Sequence, residues 1–230
     1  GGSKGIPGKN IRHLNGLPLL AYTASAAKRS SSLSSVVLST DDETIAVVGR
    51  SCGLEVPFIR PGVLATDTAK SVDVIQHALN FFEEKNLYFD AVCLLQPTYP
   101  FREAGLIDAC VEKFIKTRSE TLFTVQRIPH NYNPHWIFEE NSEGFLSIAT
   151  KDREIIASRQ QLPTAFIRDG AVYLITRKLI MQHNTLYGQR ISYVETPKRW
   201  YANIDTDEDW YRAEEIAPTF LKHHPLSPIK

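Results

Sequence analysis

The chain has 230 residues, enough to bury a sizeable core, and its 26 Lys and Arg balance 26 Asp and Glu. That balance lacks the basic excess of a dedicated nucleic-acid binder, and no apolar run approaches the ~20 residues of a membrane-spanning helix. The three cysteines, Cys52, Cys93 and Cys110, are too few and too irregularly spaced for a disulfide framework or a zinc site, and no signal-peptide pattern opens the sequence, so a cytoplasmic setting is expected.

Strand-like and helix-like segments alternate along the chain. They predict one layered α/β domain over residues 1–230, with a mostly parallel sheet and helices on both faces. Residues 35–40 (Ser-Val-Val-Leu-Ser-Thr) read as a short buried strand, after which Asp41 and Asp42 can cap a helix that runs through Arg50 and ends at Gly53. Residues 56–59 read as a second strand. Val72, Ile75, Ala78, Leu79 and Phe82 recur at helical spacing between Ser71 and Lys85. The continuous apolar run 91–95 suits a strand covered on both faces. A further helix is marked by Leu106, Ile107, Cys110, Val111, Phe114 and Ile115, and a strand by residues 121–125.

From 129 to 165 the alternation breaks. Prolines, asparagines and an Asn-Ser-Glu-Gly turn at 141–144 separate two short β-like arms, so this segment reads as a β excursion inserted into the domain. It carries Tyr132, Trp136, Ile137 and Phe138, an apolar set of the kind that marks an interface, and a homodimer built through it is expected. Strands resume at 171–175 and 191–194, and a last helix starts near Asp207.

Ligands of open α/β sheets bind beyond the carboxyl ends of strands, so the polar segments there are the candidates for chemistry. The opening Gly-Gly-Ser-Lys-Gly-Ile-Pro-Gly-Lys-Asn holds four glycines and two lysines. It reads equally as a cradle for a triphosphate and as a plain flexible terminal segment. It is neither a Walker A loop nor a dinucleotide fingerprint, since Asn10 follows the Gly-Lys pair and no Gly-x-Gly-x-x-Gly frame fits, which argues against a nicotinamide dehydrogenase. Gln96-Pro-Thr-Tyr-Pro-Phe-Arg102 follows a buried strand. Its prolines stiffen a turn that offers the Gln96 amide to a base edge and the Arg102 charge to an anion. Arg159 and Arg168 could each hold a carboxylate, although as spaced they read as surface arginines. In Asn203-Ile-Asp-Thr-Asp-Glu-Asp209, residues 203 and 205 point the same way if extended and could ligate Mg²⁺, while Thr206 can cap the last helix with acids in its first turn. The seven histidines pair with no Ser or Cys in a nucleophile motif.

Taken together these segments resemble the acylneuraminate cytidylyltransferases, the CMP-sialic acid synthetases and their bacterial relatives. The residues that carry the resemblance are Gly2-Ser-Lys-Gly-Ile-Pro-Gly-Lys-Asn10, Arg60-Pro with Leu64-Ala-Thr-Asp67, Ser71-Val-Asp-Val74, Gln96-Pro-Thr-x-Pro-x-Arg102, Arg159 through Tyr173, and Ile204-Asp-Thr-Asp207, in order over nearly the whole chain. The resemblance implies a Rossmann-like nucleotidyltransferase fold with residues 129–165 as its dimerisation arm. It implies transfer of CMP from CTP to the anomeric hydroxyl of a sialic-acid-type nonulosonic acid. Ser3, Lys4, Gly5, Lys9 and Asn10 would hold the CTP phosphates, with Lys9 and Asp205 the catalytic pair. Arg60, Ser71 and Gln96 would line the cytidine or sugar side, and Arg159, Arg168 and Tyr173, with Gln96, the keto acid. Mg²⁺ would sit on Asp205, with Asn203, where relatives often have Asp, and Asp207 as further ligands. Tyr99, where relatives have a small residue, points to a legionaminic- or pseudaminic-type acid, and Kdo is the remaining keto acid alternative. Relatives also carry an apolar strand ending in Pro-Ala-Arg before the glycine loop, and a chain extended by it is expected to be more active. A non-catalytic nucleotide-binding protein would share the fold without needing the phosphate loop or Asp205.

Overall fold

The structure is a computed structural model that describes residues 5–226. Along the chain run a small hairpin of β1 (His13–Leu14) and β2 (Leu17–Pro18), then helices α1 (Leu19–Arg29), α2 (Glu43–Ser51) and α3 (Ser71–Glu83). Strand β3 (Ala91–Leu94), helix α4 (Leu106–Thr117) and strand β4 (Thr121–Arg127) follow. After the short pair β5 (Phe138–Glu140) and β6 (Leu146–Ile148) come β7 (Phe166–Thr176), α5 (Arg177–His183), β8 (Ile191–Glu195) and α6 (Asp207–His223).

Four strands form the central sheet in the order β3-β7-β4-β8. The mostly parallel pairing expected from the sequence is corrected here. β7 runs antiparallel to both β3 and β4, and only β4–β8 is a parallel pair. The reason is connectivity: β7 is reached from β4 through the 128–165 excursion, with Ile128 N–H bonded to the Ala165 carbonyl at 3.1 Å, so the chain returns as one wide hairpin and not through a crossover helix. The expected strands at 35–40 and 56–59 are likewise reduced to one parallel bridge between Val37 and Glu55.

Side chains of these strands alternate between two layers. Ala91, Cys93, Leu122, Val172 and Leu174 pack with Ala26 of α1 and with Ile107, Cys110 and Phe114 of α4. Val92, Leu94, Phe123, Tyr173 and Ile175 pack on the opposite face with Val72, Ile75 and Leu79 of α3 and with Leu179 and Ile180 of α5. Helices therefore cover both faces, as the alternating sequence predicts. Helix α1 is buried along Leu19–Ala27, so it shows no polar stripe. α2 starts where Asp42 accepts hydrogen bonds from the N–H groups of Thr44 and Ile45.

The excursion is less regular than two plain β arms. It contains 3-10 turns at His130–Tyr132 and Pro134–Trp136 before the β5–β6 hairpin, which Asn141 closes by accepting from the Glu143 and Phe145 N–H groups. Asn133 Nδ2 donates to the Pro163 carbonyl at 2.8 Å and Trp136 Nε1 to that of Ile156 at 2.6 Å, which ties the two halves together. Tyr132, Phe138, Phe145 and Leu146 remain exposed. Among the described residues no helix is long and apolar enough to cross a membrane.

Candidate active site

β3, β4 and β8 run in one direction, so their carboxyl ends share an edge with the start of the inverted β7. Three polar segments meet there, the 5–10 loop, the 96–102 loop and residues 203–205, together with Gly170. The Ile204 N–H donates to the Thr98 carbonyl at 2.9 Å, stitching the last segment to the loop after β3. Ile6 and Ile204 are both buried beside Trp210 of α6, and this apolar contact seats the glycine loop on the 203–205 segment.

Lys9 is buried, and its Nζ donates to the Ile204 carbonyl at 2.5 Å and to Asp205 Oδ1 at 3.0 Å. Asp205 is held by its other oxygen too: Asn203 Nδ2 donates to Oδ2 at 3.0 Å, which agrees with the same-side placement expected of residues two apart. The Asp205 side chain is nevertheless 63% exposed, so its carboxylate is fixed but open to solvent. A Cβ on Gly5 would stand 2.1 Å from the Asp205 carbonyl oxygen, a distance no side chain tolerates, so glycine is required for this approach.

A bulge in β7 builds the opposite wall. The β4–β7 register passes from Phe123↔Tyr173 to Val125↔Arg168, so residues 169–172 lie opposite Thr124 alone. Gly170 occupies the bulge at φ +86°, and a Cβ there would come within 2.8 Å of Gln96 Oε1 and 3.6 Å of Asn203 Oδ1. Gln96, Asn203 and Gly170 are thereby neighbours; a larger residue at 170 would be strained by the backbone conformation and would push the Gln96 amide aside.

Beneath the bulge lies a buried polar network. Asp169, 2% exposed, accepts from Thr124 Oγ1 at 2.5 Å, Thr196 Oγ1 at 2.6 Å and the Ala171 N–H at 2.9 Å. Arg102, 1% exposed, donates through Nε to the Ala171 carbonyl at 2.7 Å, through Nη2 to that of Gln96 at 2.7 Å, and through Nη1 to the Tyr99 carbonyl and to Thr23 Oγ1. Burial pulls the Arg102 pKa down to about 10, so the guanidinium stays charged at neutral pH. At a strand's carboxyl end this cation was expected to face a ligand. The structure instead spends its donors inside the protein, where they fix the Gln96 loop. Tyr99 is corrected in the same way: it is 1% exposed, its hydroxyl faces Thr196 Oγ1 at 3.4 Å, and it lies in the core where it cannot sort sugars.

The other candidates are placed as follows. Ser3 and Lys4 lie outside the described residues. Asn10 is half-buried in the 3-10 turn Lys9–Ile11. Arg60 is held at the end of the 35–40 segment, with Nη2 3.1 Å from Asp41 Oδ1. Ser71 is exposed at the start of α3. Arg159 is exposed in the excursion, in the 3-10 turn Arg159–Gln161. Arg168 is exposed beside Tyr187, donates to its hydroxyl and lies above the Phe123 ring, while Tyr173 is buried against that ring, 5.2 Å between centroids. Asp207 opens α6 and pairs with Arg12 at 3.5 Å. Thr206 caps α6 in a reciprocal capping box with Asp209, as the spacing predicts. Burial opposes the charge on Asp209, yet hydrogen bonds from the Asp205 N–H and from Thr206 bring its pKa below the ordinary value.

The donor set suits a hard cation that draws most of its ligands from a substrate. Among the described residues no three His, Cys, Asp or Glu side chains converge into a ready-made cage. One fixed, open carboxylate fits Mg²⁺, which takes one or two carboxylates and completes its shell with phosphate oxygens and water.

Residues 1–221 match the family model described as cytidylyltransferase. The chain is 34% identical over 224 residues to a CMP-N,N'-diacetyllegionaminic acid synthase of Legionella pneumophila, covering 94% of this chain and 91% of that one. It is 32% identical over 210 residues to a pseudaminic acid cytidylyltransferase of Campylobacter jejuni, covering 91% and 89%. Its fold matches a solved CMP:2-keto-3-deoxy-manno-octonic acid synthetase complexed with CTP at a TM-score of 0.70, over 95% of each chain and at 12% identity, a likeness of fold alone.

Proposed function

The chain belongs to the cytidylyltransferase family, and from that premise we propose that it transfers CMP from CTP to the anomeric hydroxyl of a sialic-acid-type nonulosonic acid, releasing pyrophosphate. The observation that carries this reading is the meeting of the glycine loop with Asp205 through Lys9, beside Gln96. That arrangement sets a glycine-bearing loop, with a buried lysine behind it, against an open carboxylate. Relatives named for legionaminic and pseudaminic acids support the nine-carbon class of acceptor.

In this reading the hydroxyl oxygen forms a bond to the α-phosphorus, the bond from that phosphorus to the β-bridging oxygen breaks, and the hydroxyl proton passes to solvent. Such a step needs positioning and charge neutralisation more than an activated nucleophile. Lys9 is the buried cation behind the loop, Gln96 offers its amide to the cytosine edge, and Ser3, Lys4, Gly5 and Asn10 are assigned to the CTP phosphates. Asp205 would hold Mg²⁺, with Asn203, hydrogen-bonded to it, and Asp207 as the further candidate ligands. The bound ion would supply charge neutralisation between a triphosphate and a carboxylate-bearing sugar. Arg159 and Arg168 are assigned to the acceptor side, with Arg168 already oriented by Tyr187; Tyr173, buried behind Phe123, backs that wall and does not reach the acceptor itself. Arg60 and Ser71 flank the nucleoside.

The test is a panel of keto acids, neuraminic, legionaminic, pseudaminic and Kdo, offered with each nucleoside triphosphate and Mg²⁺ and scored by pyrophosphate release. Turnover with CTP and a nonulosonic acid is expected. Equal rates with ATP, GTP and UTP, or release with Kdo alone, would overturn the reading.

The exposed Tyr132, Phe138, Phe145 and Leu146 of the 128–165 excursion support a homodimer built through it. Light scattering at micromolar concentration is expected to give twice the 26.0 kDa chain mass. A monomer there contradicts the assignment.

A further inference from the structure

Asp205 is held at both carboxylate oxygens, at its amide and at its carbonyl, and one of these restraints has no role in starting α6. Asp209 Oδ2 accepts three hydrogen bonds: from the Thr206 N–H at 2.9 Å, from Thr206 Oγ1 at 2.9 Å and from the Asp205 N–H at 3.0 Å. The first two, with the return bond from the Asp209 N–H to Thr206 Oγ1 at 3.3 Å, make up the helix cap. The third lies one residue upstream of the cap and closes a ring around Asp205, whose two carboxylate oxygens meet Lys9 and Asn203 and whose carbonyl is packed on Gly5. Three donors on one oxygen also leave Asp209 Oδ2 poorly suited to ligate an ion itself.

We infer that Asp209 is a positioning residue for the metal carboxylate: it holds the backbone amide of Asp205 and so sets the direction in which that carboxylate is presented. The inference rests on Asp205 being the Mg²⁺ ligand. Groups that orient a ligand from behind typically change metal affinity about 10- to 100-fold when removed.

The experiment compares Asp209→Ala with Thr206→Ala. Both weaken the cap of α6, but only the first frees the Asp205 amide. Mg²⁺ affinity in the presence of CTP is read by calorimetry, and the melting temperature of each variant is read alongside. Asp209→Ala is expected to raise the Mg²⁺ Kd about tenfold or more, and Thr206→Ala less than about threefold at a similar loss of melting temperature. Asp209→Asn keeps an acceptor oxygen at this position and is expected to restore most of the affinity. Equal Kd shifts for the two alanine variants would reduce Asp209 to a helix cap and overturn the inference. Should Asp209→Ala fail to fold, Asp209→Ser, whose hydroxyl is too short to reach the Asp205 amide, must still weaken Mg²⁺ more than Thr206→Ala, or the inference falls. Asp205→Asn in the same series separates the two layers: if it binds Mg²⁺ normally, the metal assignment fails and takes this inference with it. If it loses Mg²⁺ while the alanine variants match, only the role of Asp209 is lost.

Discussion

Asp205→Asn is expected to lower Mg²⁺-dependent pyrophosphate release by about a hundred- to a thousandfold, the range seen when one preorganised charge-stabilising group is removed. The argument is geometric. Asp205 is the carboxylate that the glycine loop, Asn203 and Asp209 converge upon, and its side chain is nevertheless 63% exposed. The near-isosteric amide keeps the shape but carries no charge, and it must present an N–H either to Lys9 Nζ or to Asn203 Nδ2, each of which is itself a donor. Lys9 retains the Ile204 carbonyl, so the loss of folding stability stays within about 1–2 kcal/mol. The check is the pairing of a steady-state assay with a urea melt. Near-normal turnover would move the metal elsewhere, and a collapse of stability matching the loss of rate would make Asp205 a structural residue.

The largest effect on stability is expected from Arg102→Met. The guanidinium serves the carbonyls of Gln96, Tyr99 and Ala171 and the hydroxyl of Thr23, and it balances the buried Asp169, to which it is joined through the Ala171 peptide. Methionine fills much of the volume and supplies none of the donors. Removing one member of a buried charged pair typically costs about 3–5 kcal/mol, because the partner and the orphaned carbonyls stay behind without water. Arg102→Lys is not expected to rescue, since one ammonium cannot reach acceptors spread around a planar fork. CTP affinity should fall together with the urea midpoint, as the Gln96 loop loses its anchor. A destabilisation below about 1 kcal/mol would show that the network is dispensable.

Much of the fold could be read from residue spacing. The apolar periodicity of α3 and α4 and the caps at Asp42 and Thr206 are local signals, and the structure places α2, α3 and α4 within a residue or two of the expected positions and starts α6 where expected. Helix α1 escaped because Leu19–Ala27 is buried on all sides and offers no polar stripe to set a period. Helix α5, seven residues long, is too short for one. Strand direction depends on partners far away in sequence, and nothing in residues 171–175 distinguishes a strand that returns beside β4 from one that crosses over. The site divides in the same way. The 203–205 spacing announced that two side chains would share a face, and they do. Arg102, Asp169 and Tyr99 were misjudged or overlooked because such residue types usually end up near water, and only tertiary structure reveals a cavity already lined with their partners. The bulge that aims Gly170 at Gln96 depends on the pairing of β7 with β4 and left no local signal.

The inverted strand also fixes an order of events during synthesis. β7 lies between β3 and β4, and both are made long before it. Until residue 176 has left the ribosome those two strands have no shared neighbour, and their half of the sheet exists only as open edges. The 128–165 excursion separates the partners of the widest pairing, so closure must bear the entropy of a long loop before any ladder bond rewards it. The nascent protein thus passes through a state in which the apolar faces of α3 and α4 are already present and uncovered. A pause in translation between β4 and β7 is therefore expected to lengthen the time in which aggregation competes with folding.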